Sequence, residues 1–279
     1  MLIKNKKEIV LITENGVLMG QILQELRTLC KPGMSTYTID LLAEKKILAV
    51  GGKPAFKGYM THASDTPFPG TICASVNTDL VHAIPRREVE LKDGDIFTID
   101  IGMEYPAGNS KQKNTKRKRG YYTDTAITFS IGKIPEATRE LLRVTKEALE
   151  VGIRAAQPGN SVASIGKAIE TYVKSQGSYG VVRDLVGHGV GHEVHEQPNI
   201  PNYYDPGLES VMLKPGMVIA IEPMISISKE HRVVAKPDGW TIAMRDNALS
   251  AHFEHTVVIT AKGNEVVTRR PNEDKEVLW

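Results

Sequence analysis

An α+β architecture, assembled from two halves that each run helix, helix, strands, follows from repetition within the 279-residue sequence. Pro32-Gly33, Ser35 and Ile39 recur as Pro158-Gly159, Ser161 and Ile165, 126 residues later. Leu91-Lys92-Asp93-Gly94, with the β-rich run that ends on Asp100, aligns with Leu213-Lys214-Pro215-Gly216 and the run that ends on Glu222, at an offset of 122. Asp124-Thr125-Ala126-Ile127 matches Glu254-His255-Thr256-Val257 at 130. One such match could arise by chance among common turn and strand patterns. Three in the same order point to duplication.

Each element follows from local pattern. Residues 4–30 place Leu18, Ile22 and Leu26 at helical spacing, so they read as an amphipathic helix. Pro32-Gly33 ends it, and Ser35 is placed to cap a second amphipathic stretch at 36–50. Strands then lead to Asp100 and away from Asp124. Gly132-Lys133-Ile134-Pro135 reads as a linker, after which helix-like stretches at 136–156 (Leu141, Val144, Leu149) and 162–175 repeat the plan, with Ser161 as the matching cap. The repeats run about 4–133 and 134–270, and because their acids pair across the halves, one fused domain over 1–279 is expected.

Composition excludes several classes. With 41% hydrophobic and 24% charged residues the chain has the make-up of a soluble globular protein. No apolar run approaches the ~20 residues needed to cross a bilayer. No cationic segment followed by an apolar core opens the chain, so a signal peptide is not expected. Two cysteines, Cys30 and Cys73, cannot build a disulfide framework, and a cytoplasmic location is expected. Residues 111–119 hold six Lys or Arg and no acid, so removing them from the net charge of +2 leaves −4 for the remainder. Basic character is therefore local, and no DNA-binding surface is indicated.

The acids carry the chemistry. Asp100 lies between Ile99 and Ile101, Glu222 follows Ile219-Ala220-Ile221, and Asp124 and Glu254 each open a β-rich run. Acids are depleted in strands, and a carboxylate beside buried strands must be paired or bind metal. Salt bridges would explain one such acid. Four at corresponding places in a repeat, without a comparable set of Lys or Arg in adjacent strands, call for divalent cations instead. The Gly- and His-rich stretch 187–198 cannot form a good helix, and its His192-Glu193…His195 spacing departs from the H-E-x-x-H of zincins. Read as an extended segment, it offers His188 as the ligand and turns His195, on the opposite register, toward a substrate, with His192 structural. Carboxylates plus one imidazole suit a pair of Mn, Fe, Co or Zn ions, the chemistry of a metallohydrolase.

These motifs resemble type I methionine aminopeptidases. The resemblance spans nearly the whole chain and rests on Ser75-Val76-Asn77 to His82-Ala83-Ile84-Pro85, Thr98-Ile99-Asp100-Ile101-Gly102, Thr123-Asp124-Thr125, Gly187-His188-Gly189-Val190-Gly191 to His195-Glu196, Ile221-Glu222-Pro223-Met224 and Phe253-Glu254-His255-Thr256. It implies a pita-bread fold with a central antiparallel β-sheet and a dinuclear centre of Asp100, Asp124, His188, Glu222 and Glu254. Asp124 and Glu254 would bridge two ions, Asp100 would serve one, and His188 with Glu222 the other. It further implies that His82 and His195 contact the scissile peptide, and that Glu222 moves a proton from the attacking water toward the leaving amine.

An apolar pocket for methionine is implied at Tyr59, Cys73 and Trp240, with Phe56 beside them. Val194 stands where an aromatic residue commonly precedes the second histidine, which alters the expected pocket shape. Residues 60–71 read as an extra loop beside the substrate approach. The basic stretch 106–121 is longer than the usual connection between the two aspartates. Implied partners are the N-termini of nascent polypeptides, with a weak ribosome contact through 111–119 as a sharper idea than a solvated hairpin tip. A monomer without membrane association is expected. Two other readings stand beside this one: an X-Pro-directed peptidase of the same fold, which would be favoured by a large N-terminal domain ahead of residue 4, and a non-catalytic pita-bread binding module, which would be expected to have lost ligands.

Overall fold

A computed structural model describes residues 3–60, 66–108 and 119–279. Helices α1 (Lys6–Leu29) and α2 (Thr36–Ala49) are followed by strands β1 (Lys53–Pro54), β2 (Ile72–Val76), β3 (Asp79–Val81), β4 (Ile96–Tyr105) and β5 (Tyr121–Ser130). Helices α3 (Glu136–Ala155) and α4 (Val162–Gln176) then precede β6 (Gly180–Val181), β7 (Gly187–Gly189), β8 (Glu196–Ile200), β9 (Val218–Ile221) and β10 (Met224–Ser226). The chain closes with β11 (Val233–Ala235), β12 (Ile242–Met244), β13 (Ser250–His252), β14 (Glu254–Thr260) and β15 (Gly263–Val266). All four helices coincide with the expected stretches.

The central sheet has nine strands in the path β1-β4-β5-β14-β9-β7-β8, with β2 added to β4 and β15 to β14. Its pairings are antiparallel. The strands nearest the middle, β5 and β14, come from opposite halves of the sequence. One face carries Ile99, Ile101, Ile127, Ile219, Ile221 and Val257, packed with Leu23, Leu26, Leu141 and Ile169 of the helices into one buried cluster. Alternation along a strand therefore leaves Asp100, between two such isoleucines, on the face away from the helices.

The repeat recurs at the level of single hydrogen bonds. Ser35 bridges to Glu90 as Ser161 bridges to Met212. The Gly33 amide donates to the Leu91 carbonyl as that of Gly159 donates to Leu213, and the Gly94 amide donates to Ile131 (2.8 Å) as that of Gly216 donates to Ile259 (2.8 Å). Gly33, Gly94, Gly159 and Gly216 all have positive φ, which is why the Pro-Gly and Asp/Pro-Gly turns were conspicuous in the sequence. Two expectations need correction. Ser35 caps α2 by accepting from the Thr38 amide, but Ser161 makes no side-chain cap to α4. Its carbonyl instead accepts the Ser164 hydroxyl at 2.6 Å. The third match is displaced by two residues: the equivalent turns at Ile131 and Ile259 lie 128 apart, and Glu254 pairs with Ala126 rather than occupying the register of Asp124. Two residues preserve the face, so both carboxylates still point the same way.

The C-terminal segment lies tightly across α1. A Cβ added at Gly20 would stand 2.5 Å from the Arg269 carbonyl oxygen, and one at Gly16 would stand 2.5 Å from that of Val267. Buried Leu278 accepts the Ser130 amide at 2.9 Å, and Glu273 bonds buried His255 at 2.9 Å. Because the obstacle at Gly20 is backbone, Gly20→Ala is expected to destabilise the fold by about 1–3 kcal/mol. An unchanged denaturation midpoint would show that the segment is not held against α1.

Candidate active site and metal centre

The carboxylates come together by register. Asp100 pairs with Ala126, and Ala126 on its other side pairs with Glu254, so three adjacent strands present Asp100, Ala126 and Glu254 in a row. Directly opposed residues share a face, and so does Asp124, two positions before Ala126. Glu222 follows the end of β9, next to the Ile221–His255 pair. Ala126 is fully buried and contributes only a methyl group between two acids, which leaves room in front of the sheet.

Three donor groups overlap here, Asp100 with Asp124 and Glu254, His188 with Glu222 and Glu254, and Asp124 with His188 and His195, each with ligand atoms within 4.8 Å of one another. The first two share Glu254. His188 Nε2 lies 3.4 Å from Glu222 Oε1 and 4.0 Å from Asp124 Oδ2, while its Nδ1 meets the Gly189 carbonyl at 2.9 Å. That second contact leaves Nε2 free to face the acids. Among the described residues, no Lys or Arg pairs with any of the four carboxylates; their only ion-pair partners are histidines. Asp100 Oδ1 and Asp124 Oδ1 are buried without a hydrogen-bond partner.

Electrostatics follow from that crowding. Burial, reinforced by Glu222, raises the Asp100 carboxyl to about 6 against an opposing effect of His252. Burial raises Glu222 to about 7, opposed by His188. Asp124 and Glu254 are pushed well above the ordinary range, first by burial and then by the other acids. A protein alone can meet this cost only by holding protons. The orphaned oxygens and the hard oxygen-rich donor set fit divalent cations, which would replace those protons.

A cavity of about 670 Å³ opens in front of the acids. Every residue expected at the site lines it: Asp100, Asp124, His188, Glu222, Glu254, His82, His195, Phe56, Tyr59, Cys73 and Trp240. Desolvation in the wall, then His252 and His188, lowers His82 to about 4. Its backbone is left-handed (φ 56°), an unusual conformation for a non-glycine residue that aims the ring into the cavity from a short connection after β3. His195 edges onto the open cleft, yet desolvation by the surrounding walls, then His188 and His82, lowers its pKa too. Both imidazoles are neutral at neutral pH. Tyr59 Oη stands 2.7 Å from His195 Nδ1. With the tyrosine hydroxyl donating there, the ring proton resides on Nε2.

The stretch 187–198 is not one extended segment. β7 and β8 pair antiparallel around a bend at Gly191–His195, which folds His188 and His195 to the same side, ring centres 4.4 Å apart. His192 is turned away and bonds Glu8 Oε1 at 2.9 Å. Glycine content argued correctly against a helix but cannot distinguish a hairpin from a straight strand.

Three residues escaped the sequence reading. His252 is buried in the cavity wall, 3.5 Å from Glu222 Oε2, and burial lowers it to about 4 against the pull of Asp100. Its position two before Glu254 was the available signal. Phe68, from the stretch read as an extra loop, is a wall of the pocket and packs edge-on to Trp240 at 5.2 Å; Ile242 completes that side. The Trp240 indole donates to the Thr66 carbonyl at 2.9 Å. Cys73 is buried, and burial followed by Asp100 and Asp124 keeps it a thiol, so it lines the pocket rather than attacking. Val194 packs with Phe56 and Phe68 but lines a smaller neighbouring cavity instead. Of the basic stretch, residues 109–118 lie outside the described residues, as do 61–65 of the other loop.

Comparison with known proteins places this architecture. The model of metallopeptidase family M24 matches residues 11–261, and the chain belongs to that family. Over 257 residues it is 42% identical to the methionine aminopeptidase of Borreliella burgdorferi, covering 92% of this chain and 94% of the relative. It is 41% identical over 266 residues to methionine aminopeptidase 1 of Bacillus subtilis, covering 95% and 98%. The crystal structure of methionine aminopeptidase from Thermotoga maritima superposes with a TM-score of 0.85 at 38% identity, covering 97% of this chain and all of that one. The fold is the pita-bread fold of those enzymes.

The raised carboxyls give a signed prediction. Cation-free, Asp100 and Glu222 hold protons when folded that they release on unfolding. Their stabilising contribution is present below about pH 4 and is lost as pH rises through about 6 to 7. The rise in melting temperature on adding a divalent cation to chelator-treated protein is therefore expected to grow between about pH 5 and about pH 8. A pH-independent gain would refute the shared centre.

Proposed function

We propose that this chain is a metal-dependent aminopeptidase that removes the initiator methionine from nascent proteins and peptides whose second residue is small. One observation carries the reading: two carboxylate clusters sharing Glu254 form the floor of a cavity whose opposite wall is an aromatic and apolar pocket. Asp100, Asp124, His188, Glu222 and Glu254 would hold two divalent ions, drawn from Co, Mn, Fe or Zn. When bound, such ions acidify water and polarise a peptide carbonyl.

The chain's own groups supply the rest. Phe56, Tyr59, Phe68, Cys73 and Trp240 enclose the methionine side chain, whose burial is worth about 1.5–3 kcal/mol. His195, with its proton on Nε2, and His82 donate to the scissile carbonyl oxygen and stabilise the charge that gathers there in the tetrahedral state. Both stay neutral and can donate throughout the neutral range. Glu222 accepts the proton of the attacking water and passes it to the leaving amine. His252 Nε2 stands 3.5 Å from the other oxygen of Glu222.

Nascent N-termini as substrates, a monomeric state and a cytoplasmic location belong to the same proposal; the last agrees with two free cysteines and with the lack of a helix long and apolar enough to cross a membrane among the described residues. Contact with ribosomal RNA through 111–119 rests on the charge of that segment alone. Neutralising it is expected to weaken ribosome co-sedimentation in a salt-dependent way, and unchanged binding would remove that part.

Turnover of a Met-Ala peptide by chelator-treated protein, titrated with each ion, tests the main reading. Hydrolysis of X-Pro peptides in its place would favour the proline-directed alternative. His195→Ala and His82→Ala are each expected to lower kcat about 10²- to 10⁴-fold. Trp240→Ala is expected to raise KM about tenfold, equivalent to about 1.4 kcal/mol, with kcat little changed.

A further inference from the structure

The bend that presents His195 is held from a distant part of the chain. Glu193 and His195 lie in irregular backbone between β7 and β8, where ladder hydrogen bonds cannot fix them. The carboxylate of Glu196, the residue after His195, takes over that task. Its Oε1 accepts the amide of Glu193 at 3.0 Å and that of His192. Its Oε2 meets Lys4 Nζ at 2.7 Å, with the two side chains only 1% and 4% exposed. Lys4 is itself anchored, its amide donating to the Gly216 carbonyl at 2.8 Å.

The surroundings are shaped for this reach. A Cβ at Gly191 (φ 127°) would stand 2.7 Å from Lys4 Cε, and one at Gly216 would stand 2.8 Å from the Lys4 carbonyl oxygen. Gly191 thus admits the lysine stem, and Gly216 admits the backbone that carries it. A buried ion pair is poor evidence for stability, because well-packed apolar residues of similar volume often do as well. What it does provide is direction: one carboxylate, locked by a fixed cation, holds two amides of the bend at set positions.

We propose that Lys4 and Glu196 are positioning residues that hold His195 at the distance its hydrogen bond to the scissile carbonyl requires. This rests on the reading of His195 given above. The test uses full-length, cation-loaded protein carrying Lys4→Met, Glu196→Gln or both, each also combined with His195→Ala. Glu196→Gln keeps an oxygen for the two bend amides, and the double variant leaves no unpaired buried charge, so a folding failure of Lys4→Met alone does not end the test.

Misplacement of about 1 Å can cost about 10²-fold. Each single variant is expected to lower kcat on a Met-Ala peptide about ten- to hundredfold, with KM and cation affinity within about twofold, and the double variant is expected to be no worse than the weaker single. With His195→Ala already present, adding Lys4→Met is expected to change kcat less than about twofold. An unchanged kcat in the single variants, or an equal further loss in the His195→Ala background, overturns the proposal. The His195 ring signals in ¹H–¹⁵N spectra provide a readout independent of turnover. They are expected to shift in both single variants, even if the unaltered protein fails to cleave the peptide and the functional reading falls. Unshifted signals overturn the proposal on their own.

Discussion

Repulsion among four carboxylates on one side of a sheet is the constraint around which this molecule is arranged. Asp100, Asp124, Glu222 and Glu254 are all buried; burial raises the proton affinity of all four, and neighbouring acids raise that of Asp100, Asp124 and Glu254 further. Bulk solvation reaches them poorly, because the opposite face is sealed by helices and the near face is exposed only at the floor of a cavity. Among the described residues, no lysine or arginine pairs with them either. His82 and His252 beside them are held neutral by the same desolvation, so they contribute dipoles and lone pairs rather than charge. Short of holding protons, bound cations would supply the balance, and the family to which the chain belongs is one of metallopeptidases.

Duplication explains how such an arrangement is built without an unusual backbone. Each half supplies a turn that needs a left-handed glycine, a strand leading into an acid, and a return strand with a second acid. Joining β5 to β14 brings the halves edge to edge, and a sheet that one half could close only partly becomes continuous. The apolar pocket breaks the symmetry. It is drawn from the connections after β1 and β11 and from the stretch containing Phe68, which have no matched partners in the repeat.

Much of this was legible in the residues. Turn glycines at Gly94 and Gly216 perform the same hydrogen bonding in both halves, so selection for geometry leaves the same letters behind. Acids flanked by isoleucines stand out because a strand interior seldom tolerates them. The pocket and His82 were legible only through likeness to a family, since one histidine or one cysteine carries no distinguishing pattern; what makes His82 special is a backbone angle. The fold-back of 187–198 was not legible because glycine permits many conformations and names none. His252, Phe68 and the Lys4–Glu196 pair were hidden for a related reason. Their meaning lies in which strand or segment passes beside them, a relation separated by up to 192 residues in the chain.

Ala126 shows where the tolerance of such a centre ends. Its methyl group sits between Asp100 and Glu254, contributes no donor atom and would pass as ordinary core. Yet a branched side chain there would press between Asp100 and Glu254 while every candidate ligand stayed in place. Surveys of harmful variants confined to charged and aromatic positions would overlook it, although the smallest side chain in the row sets the width that the larger ones share.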